Sequence, residues 1–276
     1  MRSGIRIFIT VGSMALLVAA CSPAATDPET TTTTFATAAT TSVVEQTSSS
    51  TTSPPITSLA TSTTEGLEAT ELVLAMVERL IATDTFSGVV LMARDEEVIW
   101  TREAGVADMV TQTPIRPESR FNLGSMNKMF TAVGIFQLAE KGLLALDGTV
   151  SQYLPNYPNP DVAEAVTIEQ LLTHTSGLGD VFTEEFNADP HRYRTNEDFL
   201  QLFVDEPPAF PPGGQWSYSN AGFVVLGLII EELSGLSYDD YVRDYIFEPS
   251  GMHATGAHDI EDEFEDLAIG YTELDI

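Results

Sequence analysis

The feature that most constrains this chain is a long low-complexity segment that separates two very different regions. Residues 22–66 are dominated by Thr, Ser, Ala and Pro, and they carry no apolar periodicity. Such a segment cannot bury enough apolar surface to offset the conformational entropy that is lost on folding. We therefore predict a disordered tether over residues 21–66, which confines the folded structure to residues 67–276. That length is sufficient for one hydrophobic core, in one or two lobes.

The residues before the tether are typical of an export signal. Arg2 and Arg6 give a positively charged start, and residues 7–20 form an apolar run that is too short to span a bilayer comfortably. Small residues stand directly before Cys21, which is the only cysteine in the chain and so excludes an intrachain disulfide. This arrangement resembles the lipobox of bacterial lipoproteins.

The lipobox resemblance implies that residues 1–20 are a lipoprotein signal peptide and that Cys21 is the lipidation site. The protein would then be exported and held by its acyl chains at the outer face of the cytoplasmic membrane, without a transmembrane helix. The alternative is an ordinary cleaved signal in which Cys21 has no role.

The charge of the chain limits its partners. The formal net charge is −29 at pH 7, which argues against nucleic acid and anionic lipid surfaces. Six of the eight residues 259–266 are acidic, and we interpret them as a solvated face or loop. A calcium site is the weaker alternative, because the glycine and the ligand spacing of a calcium loop are missing. We see no metal-ligand cluster and expect neither a metal nor a cofactor.

Hydrophobic periodicity predicts a helix and then a hairpin at the start of the folded region. Leu72, Met76 and Leu80 have helical spacing within residues 67–82. Residues 87–94 and 98–105 are rich in β-formers and flank a polar turn at residues 95–97, which is typical of a hairpin.

The rest of the chain is predicted to be mostly helical. After Arg120, apolar residues fall near one helix face: Met126, Met129, Phe130, Val133 and Leu138. Thr195 and Asp198 have the spacing of a capping box, residues 221–233 are almost entirely apolar and predict a buried helix, and Ser237 would cap a short helix over residues 237–247. This order of elements indicates an α+β fold.

The first candidate for chemistry is Ser125 with Lys128. Residues three apart share one face of a helix, so the hydroxyl and the amine would face the same space. A serine alcohol is a weak nucleophile that needs a base within hydrogen-bond reach, and the start of a helix favours a developing oxyanion. Taken alone, this spacing also arises by chance in many proteins.

The second candidate is the polar turn before the apolar helix, which carries Tyr218 and Asn220. A phenol becomes a useful base when a neighbouring cation favours its ionised form, and Lys128 could supply that cation. Asn220 has an amide that can both donate to and accept from a substrate amide. Taken singly, Tyr218 could be an ordinary turn tyrosine and Asn220 a helix cap. Because both follow Ser125 at a suitable separation in the sequence, we interpret them as acting together with Ser125 and Lys128.

These segments resemble a known family. Residues 121–128, 171–178 and 212–222 are similar to the β-lactamase-related serine hydrolases, which include class C β-lactamases, D-alanyl-D-alanine carboxypeptidases and esterases. The resemblance covers residues 70–270, and the Tyr-x-Asn form is that of the class C and carboxypeptidase branches rather than the Ser-Asp-Asn of class A. It implies a β-lactamase/transpeptidase-like fold with a helical lobe beside an antiparallel sheet.

The resemblance also implies roles for the candidate residues. Ser125 would be the nucleophile, Lys128 and Tyr218 would share the role of general base, and Asn220 would bind substrate. The backbone N–H of Ser125 would supply half of an oxyanion hole. His174 would have a structural role, and neither it nor His253 is expected to be catalytic.

One element of the family pattern is missing from the sequence. No Lys-x-Gly or His-x-Gly occurs after Asn220, although the family carries such a motif on a strand near its C-terminus. The family's hairpin also pairs with strands that follow the helical lobe. We therefore expect that the domain is incomplete, that its C-terminal strands are missing, and that residues 87–105 form a hairpin with an open edge.

The resulting functional hypothesis is a serine hydrolase that acts through an acyl-enzyme on peptide-like amides, β-lactams or esters. Its expected partners are a small-molecule or peptide substrate and a membrane held through the lipid anchor, with peptidoglycan as a candidate and nucleic acid excluded. The alternative is a non-catalytic cell-surface or wall-binding module derived from the same family.

Overall fold

The computed structural model describes residues 5–11, 61–95, 97–257 and 264–271, and for residues 5–11 and 61–69 it describes the backbone alone. Cys21, the predicted tether up to residue 60 and the acidic residues 259–263 lie outside the described residues. The predictions of lipidation, of a disordered tether and of a solvated acidic loop therefore remain predictions.

An antiparallel sheet of three strands forms one layer, in the order β1 (Ile5–Val11), β2 (Gly88–Arg94) and β3 (Glu97–Ala104). β2 and β3 form the predicted hairpin, with a bulge between Met92 and Ala93. β1 pairs with β2 along its whole length and covers the β2 edge of the hairpin, whereas β3 remains the outer strand of this sheet among the described residues. The unpaired backbone groups of an edge strand readily accept another apolar, β-prone segment.

Helix α1 (Thr61–Ala82) lies beside this sheet. The Arg102 guanidinium bonds to the Glu78 carboxylate at 2.9 Å, and Arg94 donates to Thr70 Oγ1 at 3.4 Å. The helix begins at Thr61 rather than at residue 67, so its first turns extend into the Thr-rich segment. Pattern reasoning misses such a start because threonine adds no apolar periodicity.

Two short strand pairings follow the hairpin and connect it to the rest of the molecule. β4 (Val106–Asp108) pairs with β5 (Thr113–Pro114), and β6 (Arg120–Phe121) pairs in parallel with β7 (Leu267–Ala268). These pairings bring the C-terminal described residues back to the segment that immediately precedes Ser125.

The helical lobe fills the centre of the chain and contains the main core. Its helices are α2 (Lys128–Glu140), α3 (Val150–Tyr153), α4 (Pro160–Ala165), α5 (Ile168–Leu172), α6 (Glu184–Ala188), α7 (Asn196–Leu200), α8 (Ala221–Ser234) and α9 (Tyr238–Val242). Short 3₁₀ turns occur at Gly124–Asn127 and Pro190–Arg192, and α9 continues as a π-helical stretch over Arg243–Phe247.

Helix α8 is the central element of this lobe, as its composition predicts. Val225, Leu226, Ile229 and Ile230 are fully buried within the core. The predicted capping box of Thr195 with Asp198 begins α7, and Ser237 caps α9 through the Asp240 N–H. These local signals are reliable because each satisfies backbone N–H groups that the helix itself leaves unpaired.

The buried face of helix α2 differs from the predicted one. Ile135 and Leu138 are buried against the core, whereas Met126, Met129 and Val133 are exposed. The helix is apolar around most of its circumference, so periodicity alone does not identify the buried side. Gly134 lies where α2 meets α8, and a Cβ there would be 2.9 Å from Ile230 Cδ1.

In the described part of the chain no single helix is long and apolar enough to cross a membrane. Helix α8 and the helical stretch from Tyr238 to Phe247 pass a length and composition test as a pair, although they meet at a bend of 78°.

Candidate active site

Ser125 lies in the 3₁₀ turn Gly124–Asn127, which leads directly into α2 at Lys128. Gly124 has a positive φ of 52°, a conformation that glycine adopts without steric cost. Its N–H donates to Asn122 Oδ1 at 2.8 Å, which fixes the entry to the turn. Residues at i and i+3 are eclipsed in a 3₁₀ turn, so the serine and the lysine face the same side.

The hydroxyl of Ser125 is the point where the predicted catalytic residues meet. Lys128 Nζ donates to Ser125 Oγ at 3.4 Å, and the Tyr218 hydroxyl donates to the same oxygen at 2.6 Å. Tyr218 is 93 positions from Ser125 in the sequence, so only the packing of α8 against α2 brings them together. The structure thus places these three predicted residues within hydrogen-bond distance of one atom.

Asn220 joins the same cluster from the start of α8. Its side chain makes no capping hydrogen bond to α8, so the alternative that it is simply a helix cap is wrong. Instead Asn220 Oδ1 accepts from Lys128 Nζ at 2.6 Å, and Asn220 Nδ2 donates to Asp180 Oδ1 at 2.8 Å. The amide therefore bridges a cation and a carboxylate.

The segment that carries Tyr218 is held by His174 on two sides. The carbonyl oxygen of His174 accepts from the Ser217 N–H at 2.9 Å, and His174 Nδ1 accepts from the Ser219 N–H at 3.1 Å. The imidazole also lies against the Tyr218 ring, with 4.6 Å between the ring centroids. His174 itself has a positive φ of 59°.

Because Nδ1 accepts a hydrogen bond, the neutral form of His174 carries its proton on Nε2. Partial burial, and secondarily the positive charge of Lys128, lower the pKa of His174 below its ordinary value. The environment therefore holds this histidine in the neutral form, which suits a residue that supports the tyrosine segment. This is the structural role that the family resemblance implies.

Aromatic rings also surround the lysine. Lys128 Nζ lies 4.9 Å from the centroid of the Tyr218 ring and 5.6 Å from that of Phe223. A cation near a ring face is attracted by its quadrupole, so these contacts help to hold the ammonium beside Ser125. Ser219, fully buried between the two site residues, accepts from the Gly222 N–H and donates to the Gly179 carbonyl.

The site is open to solvent. Ser125 is exposed, and the exposed fractions of Tyr218 and Trp216 are 41% and 67%. A cavity of about 580 Å³ lies elsewhere, with Leu154, Tyr157, Leu228 and Leu236 among its lining residues. None of the four site residues lines it. The hydrogen-bonded cluster, rather than the cavity, therefore identifies the candidate active site.

His253, which is not expected to be catalytic, lies outside the cluster. His253 is in a turn after the π-helical stretch and contacts Glu248 at 3.1 Å. Among the described residues there is no group of three or more His, Cys, Asp or Glu side chains that could hold a metal ion.

Asp180 is a member of the cluster that sequence reasoning did not identify. It stands two residues after the family-like segment 171–178, at the start of a polar stretch without periodicity. A lone aspartate in a polar loop is indistinguishable from a solvated one until the fold places it beside Asn220.

The arrangement can support acyl transfer. A nucleophilic oxygen, an ammonium and a phenol are in contact, and an amide with donor and acceptor groups lies next to them. The helical lobe beside an antiparallel sheet, with this cluster at the start of α2, defines a protein of the β-lactamase/transpeptidase fold.

Comparison with known proteins identifies the family. The Beta-lactamase family model matches residues 73–275, and the chain belongs to this family of serine hydrolases. The chain is similar to penicillin-binding protein 4* of Bacillus subtilis (strain 168), with 40% identity over 62% of this chain and 38% of the relative. It is also similar to esterase EstB of Burkholderia gladioli, with 33% identity over 63% of this chain and 48% of the relative.

A solved structure agrees with the sequence comparisons. The penicillin-binding protein from Bacillus halodurans superposes with a TM-score of 0.63 at 36% identity, over 69% of this chain and 60% of that chain. The expected α+β, β-lactamase/transpeptidase-like fold is confirmed. The chain spans less than half the length of the two curated relatives.

Proposed function

We propose that this protein is a serine hydrolase that acts through an acyl-enzyme on peptide-like amides, β-lactams or esters. The observation that carries the proposal is the contact of both Tyr218 and Lys128 with Ser125 Oγ, at 2.6 and 3.4 Å. A nucleophile with two potential proton acceptors, and with an amide beside them, is the arrangement that acyl transfer requires. The penicillin-binding and esterase names of the relatives support the same range of substrates.

In the proposed reaction Ser125 Oγ attacks the substrate carbonyl carbon, and the Ser125 proton passes to Tyr218 or Lys128. In the resting arrangement both of these groups donate to Ser125 Oγ, so one of them must first lose a proton to act as the base. The bond to the leaving nitrogen or oxygen then breaks, and that atom takes a proton from Tyr218. On the route in which Lys128 accepts the Ser125 proton, Lys128 passes that proton on to Tyr218, so that both groups return to their starting state. The products of this step are an ester on Ser125 and the free amine or alcohol.

Hydrolysis of the ester completes the proposed cycle. A water molecule attacks the acyl carbon with its proton passing to the same base, and Ser125 leaves with a proton restored. The backbone N–H of Ser125 lies at the start of a helix, where the helix dipole favours negative charge. In the proposed reaction this N–H stabilises the oxyanion. Lys128 places a positive charge next to the reacting atoms in both acylation and hydrolysis. Asn220 offers a side-chain N–H to a substrate carbonyl.

We also propose that the protein works outside the cytoplasm, anchored through Cys21 and extended from the membrane by its Thr- and Ser-rich tether. Cleavage before Cys21 removes residues 1–20, and with them strand β1, from the anchored form. The signal-like start and the single cysteine support this location. A peptide-like substrate at the outer face, with peptidoglycan as a candidate, would suit such a tethered enzyme.

The test is covalent labelling of the protein expressed from its complete gene. A folded sample, verified by a cooperative thermal transition, is incubated with a fluorescent penicillin and separately with an activated p-nitrophenyl ester. Intact-mass spectrometry should show one acyl adduct per chain, and Ser125→Ala should abolish it. Met126→Ala, which alters an exposed neighbour outside the hydrogen-bonded cluster, serves as the matched control and should retain labelling.

The absence of an adduct with either reagent in the folded protein would overturn the proposed function. If the folded protein instead bound isolated cell wall without any adduct, and Ser125→Ala bound equally well, the non-catalytic wall-binding module would replace it.

A further inference from the structure

Asp180 lies in the second half of the loop between α5 and α6, next to the cluster around Ser125. Three N–H groups converge on its Oδ1 atom: the Val181 backbone at 2.7 Å, the Phe182 backbone at 3.3 Å and Asn220 Nδ2 at 2.8 Å. The two backbone bonds fix the carboxylate relative to its own loop. The third bond links that loop to the start of α8, across 40 positions of sequence.

The two partners of Asn220 determine how its amide is oriented. An ammonium can only donate hydrogen bonds, and an ionised carboxylate can only accept them. Asn220 Oδ1 must therefore face Lys128, and Nδ2 must face Asp180, which is the arrangement observed at 2.6 and 2.8 Å. Rotating the amide by 180° would place two donors together at Lys128 and two acceptors together at Asp180. Asp180 thus penalises the wrong orientation independently of Lys128.

The amide nitrogen has a second N–H. One of its two hydrogens is directed to Asp180, so the other is held in a fixed direction and remains for a substrate carbonyl. Preorganised donors of this kind are more effective than mobile ones, because no reorganisation is needed when the substrate binds. The same geometry presents Oδ1 to Lys128, next to Ser125.

We propose that Asp180 is a positioning residue of this site, which sets the orientation of the Asn220 amide and through it the geometry of Lys128 and of the bound substrate. This inference rests on the proposed function. Asp180 itself touches neither Ser125 nor the transferred proton. It acts by fixing the Asn220 side chain, which accepts a hydrogen bond from Lys128 and donates one to the loop.

The test compares the acylation kinetics of the wild type and its variants with a fluorescent penicillin, or with the activated ester if that is the reagent the wild type accepts. Asp180→Ala removes all three acceptor contacts and should lower the second-order acylation rate constant about 10- to 100-fold, because small misplacement of a positioning group has large kinetic effects. Asp180→Asn keeps a side-chain oxygen for the two backbone N–H groups and for Asn220. It should recover most of the wild-type rate.

A double-mutant cycle separates positioning from a general structural role. If Asp180 acts through Asn220, then Asp180→Ala should have little further effect in a protein that already carries Asn220→Ala. A purely structural role in the loop would give equal losses in both backgrounds. Glu184→Gln, which removes a nearby exposed negative charge, is the matched control and should leave the rate unchanged.

Three outcomes would overturn the inference while leaving the proposed function intact: a wild-type rate in Asp180→Ala, equal losses in both backgrounds, or no recovery in Asp180→Asn when it melts at the wild-type temperature. A wild-type protein that forms no adduct with either reagent would overturn the proposed function itself, and with it this inference. The two failures are therefore distinguishable in one set of measurements.

Discussion

The hydroxyl oxygen of Ser125 accepts hydrogen bonds from two residues that reach it by different routes. Lys128 follows it by one turn, so local geometry suffices to bring them together. Tyr218 reaches the same oxygen from a distant turn that His174 holds in place. At this scale the sequence predicted the residues that meet at Ser125, and their roles remain proposals. The distances between them and the contact of Asp180 with Asn220 came from the fold.

Tyr218→Phe tests the proton-transfer role at the residue scale. The substitution removes the hydroxyl that contacts Ser125 and keeps the ring that packs against His174. We expect the acylation rate to fall by about 10²- to 10⁴-fold, the usual contribution of a general acid or base. The melting temperature should stay close to that of the wild type because the residue is partly exposed. Labelling kinetics at the wild-type rate would contradict the assigned role.

The lowered pKa of His174 predicts that the stability of the protein depends on pH. The pKa of this histidine in the folded state is lowered by burial and by Lys128, so the unfolded state binds the proton more readily. The stability associated with neutral His174 is fully present above the unfolded pKa of about 6.5 and is lost as pH falls through the folded pKa. We therefore expect the free energy of unfolding to decrease from pH 7.5 to pH 5.5.

His174→Asn is the variant that checks this prediction. Asparagine tolerates a positive φ and offers a side-chain oxygen to the Ser219 N–H, but it does not titrate in this range. Urea unfolding at several pH values should give a flatter dependence for the variant than for the wild type. Identical slopes for the two proteins would show that His174 is not the responsible group.

At the scale of elements, helix α8 contributes several fully buried residues to the core and also begins at the candidate site. Helix α8 was predicted from an almost entirely apolar run of helical length, and that prediction is confirmed. Helical periodicity failed to identify the buried face of α2, because apolar residues surround that helix and contact with α8 determines which face is buried. The start of α1 was also missed because its first turns are rich in threonine.

Ile230→Ala tests the contribution of α8 to stability. Ile230 is fully buried and lies next to Gly134 of α2, so the truncation leaves a cavity at the α2–α8 contact. We expect a loss of about 2–5 kcal/mol in the free energy of unfolding. Leu228→Ala, on a partly exposed position of the same helix, is the matched control and should cost less. Equal losses in urea unfolding would contradict the described packing.

At the scale of the whole molecule, distant parts of the chain are joined near the candidate site. Arg120, in β6, bonds to the Asp266 carboxylate at 2.8 Å, and its backbone N–H donates to the Asp266 carbonyl at 2.7 Å. The guanidinium also lies 4.6 Å from the centroid of the Phe264 ring. These contacts hold the C-terminal described residues against the strand that precedes Ser125.

Arg120→Ala should loosen this connection without unfolding the protein. Both members of the ion pair are partly exposed, and such pairs contribute about 0–1 kcal/mol to global stability. Hydrogen exchange of residues 264–271 should nevertheless accelerate, because the ion pair reinforces a pairing of β6 with β7 that is only two residues long. Arg243→Ala, whose partners Asp240 and Asp244 are local, is the control and should leave exchange in this segment unchanged.

By itself the sequence determined the residue types of the candidate site, the buried helix α8, the hairpin and the family resemblance, since each depends on spacing along a few turns of chain. The tertiary structure alone decided which face of α2 is buried, that Ile5–Val11 pairs with the hairpin, and that Asp180 contacts Asn220. Local spacing sets the direction of a side chain relative to its own helix or strand. Which distant group meets that side chain depends on packing between elements, and a pattern along one chain segment does not contain that information.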